Sequence, residues 1–477
     1  MQNQTETKER WPWWFKVVLA ISPILVLLAV AMLFDANARR RLDRAMAEAR
    51  AAGGPVTLEE LEAARKVWPD EENGALVILS LTTRLSAIPS EEGVDLLPIV
   101  GKADLPPLGQ RWTDETDRAV ARQLERLSRE LADIDRLSDF DGGRFPVTIA
   151  PNPLETLLPH LAHVRTSCKL KSLQIIHRAM QGRTASLIDD VTVMLRHGQL
   201  FEDSFCLIEG LVRVALDSQT VCIIEHVVAQ TTLDPSQLRQ LDRLLADLDR
   251  NDRMFRAIQG ERTFFIGATD FFRATGDLGG VGPSLPIKPK LPGLRGWLMR
   301  DQALGLQLFN QMVNAGPQTG KMRHAAREIE AKLQALPSYY VFTGLLVPSL
   351  TRALELDLRL TAQIRSARTA LAAERYRLDK GCFPEQIDQL MPDYLDAVPT
   401  DPFDDKPLRC RVDEDAVTIY SVGSNGIDDG GDVRRDQKAR RAQQDWGFIL
   451  LAPELRGVPA PQKEIPATRP AGSRIGP

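Results

Sequence analysis

The sequence predicts a mainly α-helical protein with a single N-terminal transmembrane helix, an α-helical middle domain and a C-terminal α+β module. Three observations carry this. Val17 to Phe34 is a run of 18 residues without a charge. Several later segments repeat apolar residues at helical spacing, and beyond Gly381 that period gives way to short strand-like runs between Asp, Pro and Gly turns. A chain of 477 residues has room for about three domains.

Composition narrows the function classes. With 43% apolar and 26% charged residues the chain is globular, so neither disorder nor low complexity describes it as a whole. Sixty basic against 64 acidic side chains leave a formal charge of −4, which supplies no global field toward nucleic acid. Basic and aromatic residues are not interleaved as base stacking would need, so no nucleic-acid partner is expected. The five cysteines, Cys168, Cys206, Cys222, Cys382 and Cys410, are too scattered for a disulfide framework or a zinc knuckle. Cys382 and Cys410 share the last module and could bridge outside the cytosol; two free thiols in a small core is the simpler reading.

At 1.5 Å rise, the apolar run nearly crosses a hydrocarbon core of ~30 Å. Trp11, Trp13 and Trp14 precede it, where indoles favour the headgroup layer, and Lys16 can snorkel outward. The competing reading is a cleaved signal peptide, because Ala29-Val30-Ala31 satisfies the small-x-small rule. Arg39, Arg40, Arg41 and Arg44 follow as a stop-transfer cluster. Lys8, Arg10 and Lys16 before the span are outnumbered by Arg39, Arg40, Arg41, Arg44 and Arg50 after it, so charge counting places the bulk in the cytoplasm.

The chain divides into an N-terminal tail (1–12), the transmembrane helix (13–34), a juxtamembrane helix and irregular region (35–110), an α-helical domain (111–275), a Gly/Pro-rich linker or loop (276–296), a helical continuation (297–348), the C-terminal module (349–451) and a disordered Pro-rich tail (452–477). The juxtamembrane helix breaks at Gly53-Gly54-Pro55 and restarts at Thr57, whose hydroxyl can cap it with Glu60 three residues on. It projects the rest of the chain off the membrane. Thr113 starts an amphipathic helix with Val120, Leu124, Leu127, Leu131, Ile134 and Leu137 on one face. Asp234-Pro235 is an N-cap followed by Pro at the first helical position, and Leu238, Leu241, Leu245 and Leu248 form the buried stripe. The segment 276–296 holds six Gly and four Pro, which no regular helix tolerates. From Ser349 to Lys380 there is neither Pro nor Gly, with Leu356, Leu360, Ile364, Ala367 and Leu371 on one face and Gly381 placed as a C′ residue. The last 26 residues contain six prolines.

The run from Ala370 to Leu451 carries a helix with Tyr376, then Asp379, Gly381, Phe383-Pro384, Tyr394-Leu395, Val398-Pro399, Asp401-Pro402-Phe403, Tyr420-Ser421-Val422-Gly423, Asn425-Gly426 and a terminal Trp446. In order and spacing it resembles the globular part of the major pseudopilin (protein G) of type II secretion systems, over about 80 of the 477 residues. The resemblance implies a long helix packed on a small antiparallel sheet, an extracytoplasmic location against the arginine count, and a calcium ion in the loop after the second strand. Carried over by position, the carbonyl of Val422, the side chain of Asn425 and an acid, Asp432, match the family's ligands, with Asp428 and Asp429 as neighbours able to substitute. The family usually has Asp where Asn425 stands, which removes a charge. Calcium wants six to eight hard oxygens, and an acidic Gly-rich turn supplies them; a solvated turn without an ion is the plain alternative. More loosely, the layout is similar to a group of bacterial membrane-anchored proteins with a helical middle and the same ending, through Arg256-Ala257-Ile258-Gln259-Gly260-Glu261-Arg262 and Leu211-Val212-Arg213-Val214-Ala215. A pseudopilin's hydrophobic helix leads directly into its globular part, whereas over 300 residues intervene here. No prepilin-peptidase start motif is present near residue 1, so assembly as a pilus subunit is not expected.

Other chemistry is sparse. His160 and His163 lie one helical turn apart, a spacing with which some metal sites begin, yet no third ligand is near in sequence. His177 and His226 fall in apolar runs and read as core or boundary residues. Glu209 and Glu225 sit in very apolar stretches, where a buried carboxyl has a raised pKa and can act as an acid or base, though placement toward water explains them as well. There is no nucleophile elbow, phosphate-binding or dinucleotide glycine pattern, and no zinc-protease motif. Two functions follow as expectations. One is a non-catalytic membrane-anchored scaffold displaying a pseudopilin-like head to protein partners in the bacterial envelope. The other is an enzyme with a pocket in the helical middle around His160, His163, Glu209 and Glu225; convergence of those four groups favours catalysis, dispersal the scaffold.

Overall fold

The computed structural model describes residues 12–88, 93–249, 252–277, 291–433 and 445–460. Trp11, residues 278–290 of the Gly/Pro-rich segment and 461–477 of the expected tail lie outside the described residues.

Helix α1 runs unbroken over Trp13–Ala51, with Pro23 inside it. Its apolar half, which is long enough to anchor in a membrane or to serve as a secretion signal, is buried nowhere in the fold. From Ala38 onward its character changes: Ala38, Leu42, Ala45 and Ala49 are buried. This second half is therefore no free stalk, because it packs along α12 (described below). Thr57 caps α2 (Leu58–Ala64), accepting from the Glu60 N–H at 3.1 Å, and the Glu60 carboxylate reaches back to the Val56 N–H. Two short helices follow, α3 (Ala75–Ser80) and α4 (Thr82–Ala87).

The helix started by Thr113 divides into α5 (Asp114–Arg126) and α6 (Ser128–Asp135), because Leu127 leaves helical geometry with φ −98° and ψ 17°. The common apolar face survives the break, with Val120, Leu127, Leu131, Ile134 and Leu137 all buried. Next come α7 (His160–Met180), α8 (Leu187–Gln199), α9 (Leu207–Gln230) and α10 (Pro235–Leu248). Asp234 caps α10 in a full capping box with Gln237. Helices α11 (Arg253–Thr275) and α12 (Leu294–Asn314) pack on each other, and α13 (Thr319–Gln334) leads to α14 (Val341–Lys380).

Helix α14 begins eight residues before the expected start at Ser349 and contains Pro348. The cause lies far away in sequence. Asp301 on α12 accepts the N–H groups of Phe342 and Thr343 at 2.8 and 3.0 Å, capping the helix from a neighbour. Gly381 ends it with φ 82°, the left-handed conformation a C′ residue takes. Of the expected apolar stripe, Leu360, Ile364, Ala367 and Leu371 are fully buried while Leu356 is exposed.

Strands β1 (Arg409–Val412), β2 (Ala416–Ser421) and β3 (Trp446–Leu451) form an antiparallel sheet in the order β1-β2-β3, with Arg409 opposite Tyr420 and Ser421 opposite Trp446. The sheet packs on α14, and β3 also reaches α9. The fold is thus mainly helical with a small sheet on a long helix. Its main hydrophobic core is continuous from Ala38 to Leu450, so the C-terminal unit shares its interior with the helical body. Residues beyond β3 are ordered as far as they are described. The Gly457 N–H donates to the Ala229 carbonyl, and Val458 exchanges backbone bonds with Gly109 and Arg111. None of the five cysteines is in a disulfide, with Cys382 exposed and Cys410 half-buried.

Candidate functional site

The acidic loop after β2 is organised from below by Asp401. Its fully buried carboxylate accepts the Phe403 N–H at 2.9 Å, the Ser421 hydroxyl at 2.7 Å and the Val422 N–H at 3.0 Å, tying the turn before β1 to the end of β2. Arg409 then bridges three acids: Asp401 at 3.3 Å, Asp404 at 2.8 Å and Asp428 at 3.1 Å. Asp428 also accepts the Tyr420 hydroxyl at 3.1 Å and the Gly430 N–H at 3.0 Å. One guanidinium thus serves three carboxylates. The Asn425 amide donates to Asp429 at 3.2 Å, and the Asn425 oxygen accepts the Ile427 N–H.

Asp445, immediately before β3, closes the loop from the other side by accepting the Gly431 N–H at 2.7 Å. It is 2% exposed, and its second oxygen has no hydrogen-bond partner among the described residues. Burial pushes this carboxyl up, and the charges of Asp428 and Asp429 push it further, against the pull of the backbone N–H groups. A buried, unpaired carboxylate oxygen beside like charges is the environment a hard cation would relieve, and every donor on the loop is an oxygen. Asp445 thus stands beside the residues expected to hold calcium, and of those Asp428 is already paired with Arg409. Among the described residues no group of three His, Cys, Asp or Glu side chains is placed to hold a metal ion.

Of the four groups in the helical middle, His160 and Glu209 are brought into contact and His163 lies one helical turn from His160, whereas Glu225 stands apart. His160 is 3% exposed, stacks on Phe145 with ring centroids 4.4 Å apart, and meets Glu209 through Nε2 at 3.2 Å. Glu209 spends its other oxygen on the Phe205 N–H. His163 lies against the Ser86 hydroxyl at 2.9 Å, and burial followed by the charge of His160 lowers its pKa. Glu225 shares α9 with Glu209 but lies sixteen residues on, about 24 Å along the axis. It accepts the Ile449 N–H at 2.7 Å, so it caps the outer edge of β3. His177 is buried, bonded to Gln181, with its pKa lowered mainly by burial.

Sequence reasoning passed over a cavity of about 290 Å³ between α8, α9 and α10. Asp217 and Arg213 line it as a loose pair at 3.9 Å, and burial pushes the Asp217 carboxyl up to about 6. A Cβ at Gly198 would collide with that carboxylate, so a side chain there would force Asp217 to shift. Beside it, His197 is fully buried, with Nδ1 on the Val193 carbonyl and Nε2 on the Ser167 hydroxyl at 2.7 Å. The hydroxyl is as buried as the imidazole and no cavity residue reaches it, so the pair is a core contact.

No family model, curated protein or solved structure matches this chain. The residues that organise the loop, Asp401, Arg409 and Asp445, had one legible signal: each stands directly beside a strand end or a turn-forming Pro.

Proposed function

We propose that this is a non-catalytic, membrane-anchored protein of the bacterial inner membrane, with its bulk in the periplasm, that presents its C-terminal pseudopilin-like unit to protein partners in secretion or envelope assembly. One observation carries the reading. Helix α14 starts at Asp301, close to where the apolar half of α1 ends, and carries the sheet at its other end; its 40 residues span roughly 60 Å. The unit thus sits toward the far end of a long helix that is itself packed within the helical body. Glu225 on Ile449 and the backbone bonds of Val458 fix it to the helical body, which suits docking in a set orientation. Glu225 stands apart from His160, His163 and Glu209, and His160 and Glu209 are both buried against each other, which supports the scaffold reading over a four-residue pocket.

In this reading the loop after β2 holds calcium through the Val422 carbonyl and the side chains of Asn425, Asp429, Asp432 and Asp445. The ion would supply positive charge that pins the loop to β3. Photo-crosslinking residues at Arg411 and Val412, on the exposed edge of β1, should give discrete protein adducts in cells making the full chain, and one at the exposed Leu157 should not. Equal or absent adducts at both places would sink the docking role. A reporter fused after Pro477 that is active only in the cytoplasm should stay silent.

A further inference from the structure

We propose that the groove between α1 and α12 is a binding site for the phosphate of an anionic phospholipid. The proposal rests on the reading of α1 as a membrane span. Asp35 is the first residue after the apolar run, and its Oδ1 accepts the N–H groups of Gly293 and Gly296 at 2.9 and 2.8 Å. It therefore caps α12 and sets the start of that helix level with the end of the hydrocarbon. Gly296 permits the approach, since a Cβ there would strike Asp35. Further along, the Asn310 amide donates to the Ala45 carbonyl at 3.0 Å, so the two helices run side by side in the same direction.

The groove they enclose has a volume of about 380 Å³. Met32, Pro292 and Met299 form its apolar wall, and Arg39, Arg40 and Arg295 its basic one. None of these three arginines has an ion pair or hydrogen bond among the described residues, whereas most of the arginines in the body are paired. Asp35 is occupied by α12, and Asp43 alone does not balance three cations. Arg39 and Arg40 lie four and five residues beyond Asp35, about 6–8 Å up the helix, which is the depth of a headgroup layer. Guanidinium forks match phosphate oxygens two at a time. An apolar wall next to a basic one fits a phosphate that carries acyl chains; a free phosphate would leave Met32, Pro292 and Met299 without a role.

The test uses the full chain in detergent micelles, read by native mass spectrometry with added phosphatidylglycerol, phosphatidylcholine or inorganic phosphate. Phosphatidylglycerol should be retained, and R39A/R40A/R295A should weaken retention roughly tenfold or more, while R41A/R44A on the same helix should not. Inorganic phosphate should fail to displace the lipid. Equal retention by both variants, equal retention of phosphatidylcholine, or displacement by phosphate would each overturn the lipid site. If the triple variant loses its native melting transition, Arg295→Gln alone carries the same comparison. The intact masses separate the two readings: a chain cleaved within the apolar run removes the anchor and this proposal with it, whereas an uncleaved chain that holds no lipid removes the groove alone.

Discussion

Glu374 on α14 and Arg456 beyond β3 form a two-pronged ion pair at 2.6 and 2.9 Å, with side chains 1% and 3% exposed. Arg377 adds two more bonds to the same carboxylate. The residues after the sheet are thereby fastened to the helix beneath it.

Burial alone would raise the Glu374 carboxyl, but hydrogen bonds from Arg377 and Arg456 overcome it and hold the group at about 2, against 4.5 in its ordinary state. The unfolded chain therefore takes up this proton first. Stability is full above pH 4.5 and falls as pH drops toward 2, with roughly 3 kcal/mol at stake. Glu374→Gln should flatten that slope and cost about 3–5 kcal/mol at pH 7, because Arg456 is left buried without its counter-charge. Urea denaturation across pH 2–7 measures both effects.

His197 governs a higher window. Burial, more than the Val193 carbonyl can offset, lowers its imidazole to about 4 from 6.5. The unfolded imidazole binds its proton at higher pH than the folded one, so stability declines as pH falls from 6.5 to 4. Hydrogen-exchange protection factors in α7 and α8, corrected for the pH dependence of intrinsic exchange, should fall over this interval. Unchanged protection from pH 7 to 4 would show that the imidazole is not held neutral.

Asp301→Ala leaves the N–H groups of Phe342 and Thr343 buried without acceptors, at a cost of about 2–4 kcal/mol. Limited proteolysis should then cut near 335–345 first, and Asp301→Asn should recover part of the loss. Wild-type resistance in the alanine variant would mean that α14 nucleates from its own sequence.

Calcium at about a hundred times its dissociation constant should raise the melting temperature of the full chain by roughly 2–5 °C, and a chelator should reverse the gain. Asp445→Asn should abolish the shift, while Asp428→Asn should spare it, since Arg409 already holds Asp428. No calcium response in the wild type takes the ion out of the loop.

Local patterns spoke reliably where one short stretch supplies both the signal and its partner. Thr57, Thr113, Asp234 and Gly381 each cap the helix end they were expected to cap, because capping bonds span only two or three residues. The uncharged run before Asp35 was equally plain, as transfer to an apolar medium depends on composition alone. Distant partners stayed hidden. Asp301 moved the start of α14, Glu225 became an edge cap for β3, and Asp445 joined the acidic loop across residues that separate it in sequence. The sequence by itself determined which segments are helical, which run is apolar and where strands replace helices, since those follow from spacing along one chain. Only the tertiary structure decided which buried carboxylates meet which donors, because a charge removed from water takes whatever partner packing brings within about 3 Å.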